Sequence, residues 1–256
     1  MSLKVRSSKD QRIADALTLL EDVERVEFKL TVRDTEQASA IEALELDVLD
    51  AELRHVVFFD TPDLRLNRAG VVVRARRIRK GGDTTVKLRP VIVDALPGTL
   101  RRSRNFSIEL DAMPDALVTS GSLTEEVDND DVKAVLRGTR PIRKLFRSKQ
   151  RSFYEQRAPR ALDLDTLVPF GPINVAKMKF VPRKFKGRRA AAELWFYPDG
   201  SRLLEISMKC PPDNAFQVLA ECRALLARHG ISGEGLQETK THKALDYFSK
   251  LYARAS

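Results

Sequence analysis

Charged residues stand two positions apart along several segments of this sequence, with apolar residues between them. Glu27 and Lys29 form one such pair, and Glu109 and Asp111 form another. Carboxylate oxygens are the ligands that Mg²⁺ and Mn²⁺ prefer, whereas arginine and lysine bind phosphate. The basic pairs are Arg74 and Arg76, Lys87 and Arg89, Lys149 and Arg151, and Lys177 and Lys179. These residue types indicate a site for a polyanion and a metal ion.

The elements that carry these pairs are predicted to be strands, because residues two apart share one face of an extended strand. The alternation recurs on seven segments; in one, Arg74 and Arg76 oppose Val73 and Ala75. One interpretation is a sheet with a solvated face. Like charges at this spacing repel each other unless a counter-ion lies between them. The pattern therefore also fits a wide, wet barrel with the charged face inward.

Four helices and one hairpin turn are predicted between these strands. The first helix covers roughly 35–43, and the second begins at Asp128–Asp131 and ends at Gly138. The third begins at Pro211–Asn214, and the fourth begins at about Thr239. The inward residues of the last two are predicted to be Phe216, Leu219, Leu225 and Leu226, and Leu245, Phe248 and Leu251. Pro198-Asp199-Gly200 is a hairpin turn, and the polar stretch 113–128 is interpreted as a turn-rich insertion.

Composition limits the class of protein. The 256 residues suffice for one large domain or two small ones, and 43% are hydrophobic, enough for a core without disulfides. The net charge of +9 predicts an anionic partner. Two cysteines outside any CxxC motif and three histidines form no zinc-binding pattern. Without a signal-like or membrane-spanning apolar run, the expected location is cytoplasmic.

One longer motif identifies a family resemblance. Residues 58–66 read Phe-Phe-Asp-Thr-Pro-Asp-Leu-Arg-Leu, and residues 69–76 read Ala-Gly-Val-Val-Val-Arg-Ala-Arg. This resembles the CYTH superfamily, the triphosphate tunnel metalloenzymes, in its aromatic-Phe-Asp-Thr turn, leucine, glycine and Arg-x-Arg strand. Members include class IV adenylyl cyclases, thiamine triphosphatases, inorganic tripolyphosphatases and fungal-type RNA triphosphatases. Further matches in family order are the Lys87 strand, Glu109/Asp111, Lys149-x-Arg151 and Leu204-Glu205-Ile206.

The resemblance implies an α+β fold: an antiparallel eight-stranded β-barrel that forms a tunnel, with helices packed outside. Residues 25–256 are then one domain, after a polar segment at 1–24. The implied catalytic residues are Glu27, Lys29 and Glu205. The implied phosphate-binding residues are Lys29, Arg74, Arg76, Lys87, Arg89, Lys149 and Arg151. The implied ligands of Mg²⁺ or Mn²⁺ are Glu27, Glu109, Asp111 and Glu205.

Two positions depart from the family pattern. The family opens with Glu-x-Glu-x-Lys, but Arg25 stands at the first glutamate, and Ser207 replaces the second glutamate of a later Glu-x-Glu pair. Metal affinity is therefore open. Glu193 lies near an acidic position of relatives, and Lys240 is interpreted as a helix-surface lysine.

The leading hypothesis is a metal-dependent phosphohydrolase that acts on inorganic tripolyphosphate or a small organic triphosphate. The alternatives are an adenylyl cyclase, and a polyphosphate- or nucleotide-binding protein with weak or no catalysis. A nucleic acid is disfavoured as the partner because a duplex cannot reach basic residues on interior strand faces. No membrane partner is expected, and a homodimer stays open.

Overall fold

The fold is built around one closed β-barrel. The computed structural model describes residues 16–114, 116–160, 162–182, 188–232 and 238–255. Within these ranges nine strands form the barrel: β1 (Arg25–Val32), β2 (Glu52–Asp60), β3 (Val71–Ile78), β4 (Gly82–Leu88), β5 (Phe106–Ala112), β6 (Leu117–Val127), β7 (Val168–Phe180), β8 (Ala190–Phe196) and β9 (Arg202–Cys210). Much of the predicted N-terminal segment, residues 1–15, lies outside the described ranges.

The strand order around the barrel is β1-β5-β6-β4-β3-β2-β7-β8-β9, with β9 closing on β1. Neighbours are antiparallel except β1 and β5, which run parallel. The prediction of eight wholly antiparallel strands is therefore wrong in the strand count and in this pair. The polar stretch 113–128, expected to be an insertion, contains β6. Its Thr and Ser residues give no pair of like charges two positions apart, the pattern by which the other strands were predicted.

Helices connect the strands and cover much of the outer surface. They are α1 (Gln37–Ala43), α2 (Arg65–Arg68), α3 (Gly98–Arg101), α4 (Asn129–Leu136), α5 (Ser148–Glu155), α6 (Ala215–Arg228) and α7 (Lys240–Ala255), and residues 16–21 are also helical. The four predicted helices correspond to α1, α4, α6 and α7. Phe216 and Leu251, predicted to point inward, are about half exposed, and Ala215 and Val218 take the buried face of α6. In the described ranges no helix is both long and apolar enough to cross a bilayer.

The main apolar core surrounds the barrel instead of filling it. Val26 and Leu30 of β1 and Leu110 of β5 are buried in one cluster with the helix residues Val132 and Phe153. These strand residues alternate with the charged ones, so the charged faces of β1 and β5 point into the barrel. The inward charged face predicted from the alternation is therefore confirmed.

One end of the barrel interior is apolar and is covered by α7. Phe58 and Trp195 face inward, since Trp195 lies two residues from the inward-facing Glu193, and their rings stack 6.3 Å apart. Leu245 and Phe248 of α7 pack in the same cluster. The prediction that helices pack outside the barrel is therefore correct for the larger core. It is wrong for α7, which closes one end of the barrel.

The turn that follows β2 is organised by Asp60, the last residue of that strand. The buried Asp60 carboxylate accepts hydrogen bonds from the backbone N–H groups of Thr61 at 2.7 Å, Leu66 at 2.9 Å and Asn67 at 3.0 Å. Gly70 follows with φ +73°, and a Cβ there would lie 2.2 Å from the Arg89 carbonyl oxygen. The turn thus lets the backbone of Arg89 approach β3 closely.

Asp60→Ala is expected to lower the free energy of unfolding by about 3 kcal/mol, because three backbone donors lose their acceptor in a buried turn. Denaturant unfolding measures the change. The matched control is Asp63→Ala, which removes an exposed ion pair with Arg68 and is expected to leave stability nearly unchanged. Equal effects for the two variants would contradict the role assigned to Asp60.

Candidate active site

Four strands bring oppositely charged side chains together inside the barrel. Lys29 Nζ on β1 lies 3.0 Å from Glu27 Oε2 and 2.7 Å from Asp111 Oδ1 on β5. Lys87 Nζ on β4 lies 2.9 Å from Asp111 Oδ2. Lys209 Nζ on β9 lies 2.6 Å from Glu109 Oε1. Side chains that alternate with apolar residues along separate strands therefore meet in one ionic network.

Glu27, Glu109 and Asp111 form a compact group of carboxylates, hereafter the carboxylate cluster. One oxygen of each lies within 4.8 Å of the others, and in the described part of the chain no other three acidic, histidine or cysteine residues meet this closely. The parallel β1–β5 pairing places Glu27 directly beside Asp111. Three oxygen donors at this separation fit a hard divalent cation such as Mg²⁺ or Mn²⁺.

Glu27 and Asp111 of the carboxylate cluster are ionised at neutral pH. Burial alone would raise the pKa of Glu27, but Lys29, Lys209 and Lys240 lower it to about 2. Lys29 and Lys87 outweigh burial at Asp111 in the same way and hold its pKa well below the usual aspartate value. Glu27 and Asp111 are therefore available as charged ligands at neutral pH.

Arg74 and Arg76 extend along β3 on the same tunnel face but have different partners. Arg76 Nη2 lies 2.8 Å from Asp83 Oδ2. Within the described ranges Arg74 makes one side-chain hydrogen bond, from Nη2 to Thr85 Oγ1 at 3.2 Å, and its buried Nε has no partner there. Burial and the neighbouring Arg76 lower the pKa of Arg74. Arg74 is thus a cation inside the barrel that forms no ion pair with a carboxylate of the described residues, although the charges of Asp83 and Glu193 act on it from a distance.

Lys87 and Arg89 lie between Arg74 and Arg76 and the carboxylate cluster. These four residues are called the basic wall. Burial and the charge of Lys29 lower the pKa of Lys87 to about 8 even though Asp111 is bonded to it. Arg89 Nη2 lies 3.9 Å from Asp111 Oδ2. Cations on this wall are held close together with too few anions, an arrangement that a bound polyanion would relieve.

Glu205 belongs to a second group, together with Glu193 and Lys240. Glu193 and Glu205 lie opposite each other on β8 and β9. Lys240 Nζ on α7 bridges them, at 2.5 Å from Glu193 Oε2 and 2.8 Å from Glu205 Oε1. Lys177 also binds Glu193, at 3.0 Å. The prediction that Lys240 is a helix-surface lysine is therefore wrong, because the first turn of α7 enters the barrel.

Lys149 and Arg151 do not reach the tunnel. They were predicted on a strand, but they lie in α5, outside the barrel, where Lys149 is exposed and Arg151 donates to the carbonyl oxygen of Phe146. The buried Gln150 between them docks this helix by donating to the carbonyl oxygens of Thr84 and Leu123. The i,i+2 spacing of the two charges did not distinguish a strand from a helix, because a helix can carry the same spacing.

The two departures from the family pattern lie at different depths. Arg25 is exposed and lines a cavity of about 630 Å³ at the start of β1, with Arg104 and Arg147 and with carboxylates that include Asp83. Ser207 on β9 pairs with Lys29 in the sheet. Arg25 therefore sits at a mouth of the barrel, and Ser207 leaves the inner wall one carboxylate short.

Several tunnel residues were not assigned from the sequence. Lys209, Lys177 and Arg54 all contact the carboxylates that line the barrel, and Arg54 Nη1 lies 4.0 Å from Glu193 Oε1. Lys177 and Lys209 lie at alternate positions of their strands, on the same face as the residues assigned from the sequence. That position alone could have assigned them to the tunnel. Arg54 also stands two positions from a charged residue, Glu52, on β2, so the spacing used for the other pairs could have included it.

Solved structures share this fold at low sequence identity. One, described as a "putative adenylate cyclase" from Bacillus halodurans, has a TM-score of 0.58 at 14% identity over 86% of this chain and 98% of its own. Another is described as a "putative adenylyl cyclase" from Hippeastrum that reveals a dominant triphosphatase activity. It has a TM-score of 0.59 at 17% identity over 85% of this chain and 94% of its own. No family model and no curated protein sequence matches the chain. The likeness confirms the barrel fold expected from the CYTH resemblance.

Proposed function

We propose that this protein binds a triphosphate inside the barrel and hydrolyses a phosphoanhydride bond with the help of Mg²⁺ or Mn²⁺. The observation that carries the proposal is the tunnel position of Arg74, a cation that forms no ion pair with any described carboxylate, beside Arg76 and Lys87. A buried charge without a counter-ion is costly, so it favours binding of an anion. The extent of the basic wall fits a chain of phosphates better than a single one.

The chain's own residues divide the work by charge. Arg74, Arg76, Lys87 and Arg89 are proposed to hold the phosphate oxygens, because phosphoryl transfer depends mainly on positioning and charge neutralisation. Lys29 contacts the carboxylates of Glu27 and Asp111, and Asp111 in turn contacts Lys87 of the basic wall. Lys29 is proposed to keep these carboxylates in place and to contact the phosphate next to them.

The metal ion would be held by Glu27, Glu109 and Asp111. When bound, Mg²⁺ or Mn²⁺ neutralises phosphate charge and lowers the pKa of a coordinated water. Glu205, expected as a fourth ligand, is not in the carboxylate cluster and already binds Lys240. We therefore propose that Glu205 acts by positioning Lys240 towards the tunnel.

A product assay tests the proposal. Tripolyphosphate, thiamine triphosphate, ATP and pyrophosphate are incubated separately with Mg²⁺ or Mn²⁺, and orthophosphate, pyrophosphate and cyclic AMP are measured. Tripolyphosphate and water are expected to give pyrophosphate and orthophosphate in equal amounts, and EDTA is expected to stop the reaction. Cyclic AMP and pyrophosphate from ATP would select the cyclase instead.

Binding without turnover is the second candidate, and Arg25 and Ser207 favour it because each replaces an expected carboxylate. It predicts that tripolyphosphate raises the melting temperature of the protein while no product forms at any Mg²⁺ or Mn²⁺ concentration. The same samples used in the product assay distinguish the two candidates.

A further inference from the structure

Lys209 occupies the carboxylate cluster in a way that the proposed function does not use. It lies near the end of β9, directly opposite Glu27 in the sheet. Its ammonium group is 2.6 Å from Glu109 Oε1 and 3.8 Å from Glu27 Oε2. Lys209 therefore contacts two of the three carboxylates that would hold a metal ion.

The exposure of Lys209 separates it from the other lysines of the carboxylate cluster. The side chains of Lys29 and Lys87 are each 14% exposed, whereas that of Lys209 is 45% exposed. A long lysine side chain that already reaches water can turn its charged end into solvent at little cost. Lys29 and Lys87 have no comparable route, because the barrel encloses them.

We propose that Lys209 is a displaceable counter-ion: its ammonium group neutralises the carboxylate cluster when no metal is bound and leaves Glu27 and Glu109 when a divalent cation binds. This inference rests on the proposed metal site. The Glu109 oxygen that Lys209 approaches to 2.6 Å cannot serve a metal ion at full strength at the same time. Metal binding through this oxygen therefore breaks the ion pair with Lys209, and the apparent metal affinity is lower by the cost of that exchange.

The exchange also changes the charge of the tunnel. Replacement of one ammonium group by a divalent cation adds one positive charge beside Lys29 and Lys87. A more positive tunnel attracts a polyanion more strongly, so metal and triphosphate are expected to bind cooperatively. Lys209 thereby keeps the metal-free tunnel closer to charge balance.

Mn²⁺ titration followed by electron paramagnetic resonance of the free ion tests this role without turnover. The proteins are the wild type, Lys209→Met, Lys209→Arg and Lys144→Met, the last removing an exposed lysine outside the barrel. Lys209→Met is expected to bind Mn²⁺ at least about fivefold tighter than the wild type, because a competing cation is gone. Lys209→Arg retains the charge and Lys144→Met leaves the site intact, so neither is expected to bind tighter.

The outcomes separate the inference from the proposed function. Mn²⁺ binding by the wild type with equal or weaker binding by Lys209→Met overturns the inference alone. Absence of Mn²⁺ binding by both proteins overturns the metal site and the inference with it. Circular dichroism and thermal unfolding confirm that each variant is folded, and Lys209→Gln replaces the methionine variant if that one does not fold.

Discussion

Asp111→Asn is expected to reduce tripolyphosphate turnover by about a hundredfold to a thousandfold, the range found when one preorganised charge-stabilising group is removed. The substitution keeps the shape of the side chain but removes its charge. Asp111 is one of three proposed metal ligands, and it also binds Lys29 and Lys87 at 2.7 and 2.9 Å. Loss of its charge therefore weakens the metal site and leaves two enclosed lysines with less neutralisation.

The same substitution is expected to lower the free energy of unfolding by about 3 kcal/mol, because a buried ion pair loses one partner. Steady-state phosphate release and denaturant unfolding measure the two effects. Asp94→Asn, at an exposed position outside the barrel, is the matched control and is expected to leave both unchanged. Wild-type turnover by Asp111→Asn would exclude the carboxylate cluster as the catalytic centre.

Arg74→Met is expected to have opposite effects on activity and stability. The value of kcat/KM for tripolyphosphate should fall by about a hundredfold, because a preorganised cation that faces the phosphates is lost. The free energy of unfolding should rise by about 1 kcal/mol, because methionine removes an unneutralised charge from the tunnel while retaining much of the side-chain volume. Increased stability with lost function is the signature of a charge kept for its ligand.

The control for Arg74→Met is Arg79→Met, which removes an exposed arginine just beyond the same strand. It is expected to change neither kcat/KM nor stability by a measurable amount. Phosphate-release kinetics and denaturant unfolding again provide the data. A marked loss of stability in Arg74→Met would show that Arg74 has a structural partner in solution and would remove the main support for the phosphate site.

Much of the site follows from local sequence. The alternation in β1, β3, β4 and β5 identifies the inward face because the two-residue period is a property of extended backbone. The motif at residues 58–76 adds the turn in which Asp60 accepts three backbone hydrogen bonds. The alternation could not separate a helix from a strand at Lys149 and Arg151, where an i,i+2 spacing occurs in α5.

The two-residue alternation along the chain was enough to predict which residues of most strands face inward, and hence that the barrel carries charge inside and apolar residues outside. Which charges meet depends on how the strands pair in the closed barrel. The pairing of β1 with β5 joins Lys29 to Asp111, which is 82 positions further along the chain. Lys240 comes from α7 to lie between Glu193 and Glu205. Among the described residues, Arg76 forms an ion pair with Asp83 whereas Arg74 forms none with a carboxylate. A strand period depends on neighbouring residues alone, whereas neutralisation of a charge depends on segments that are distant in the chain.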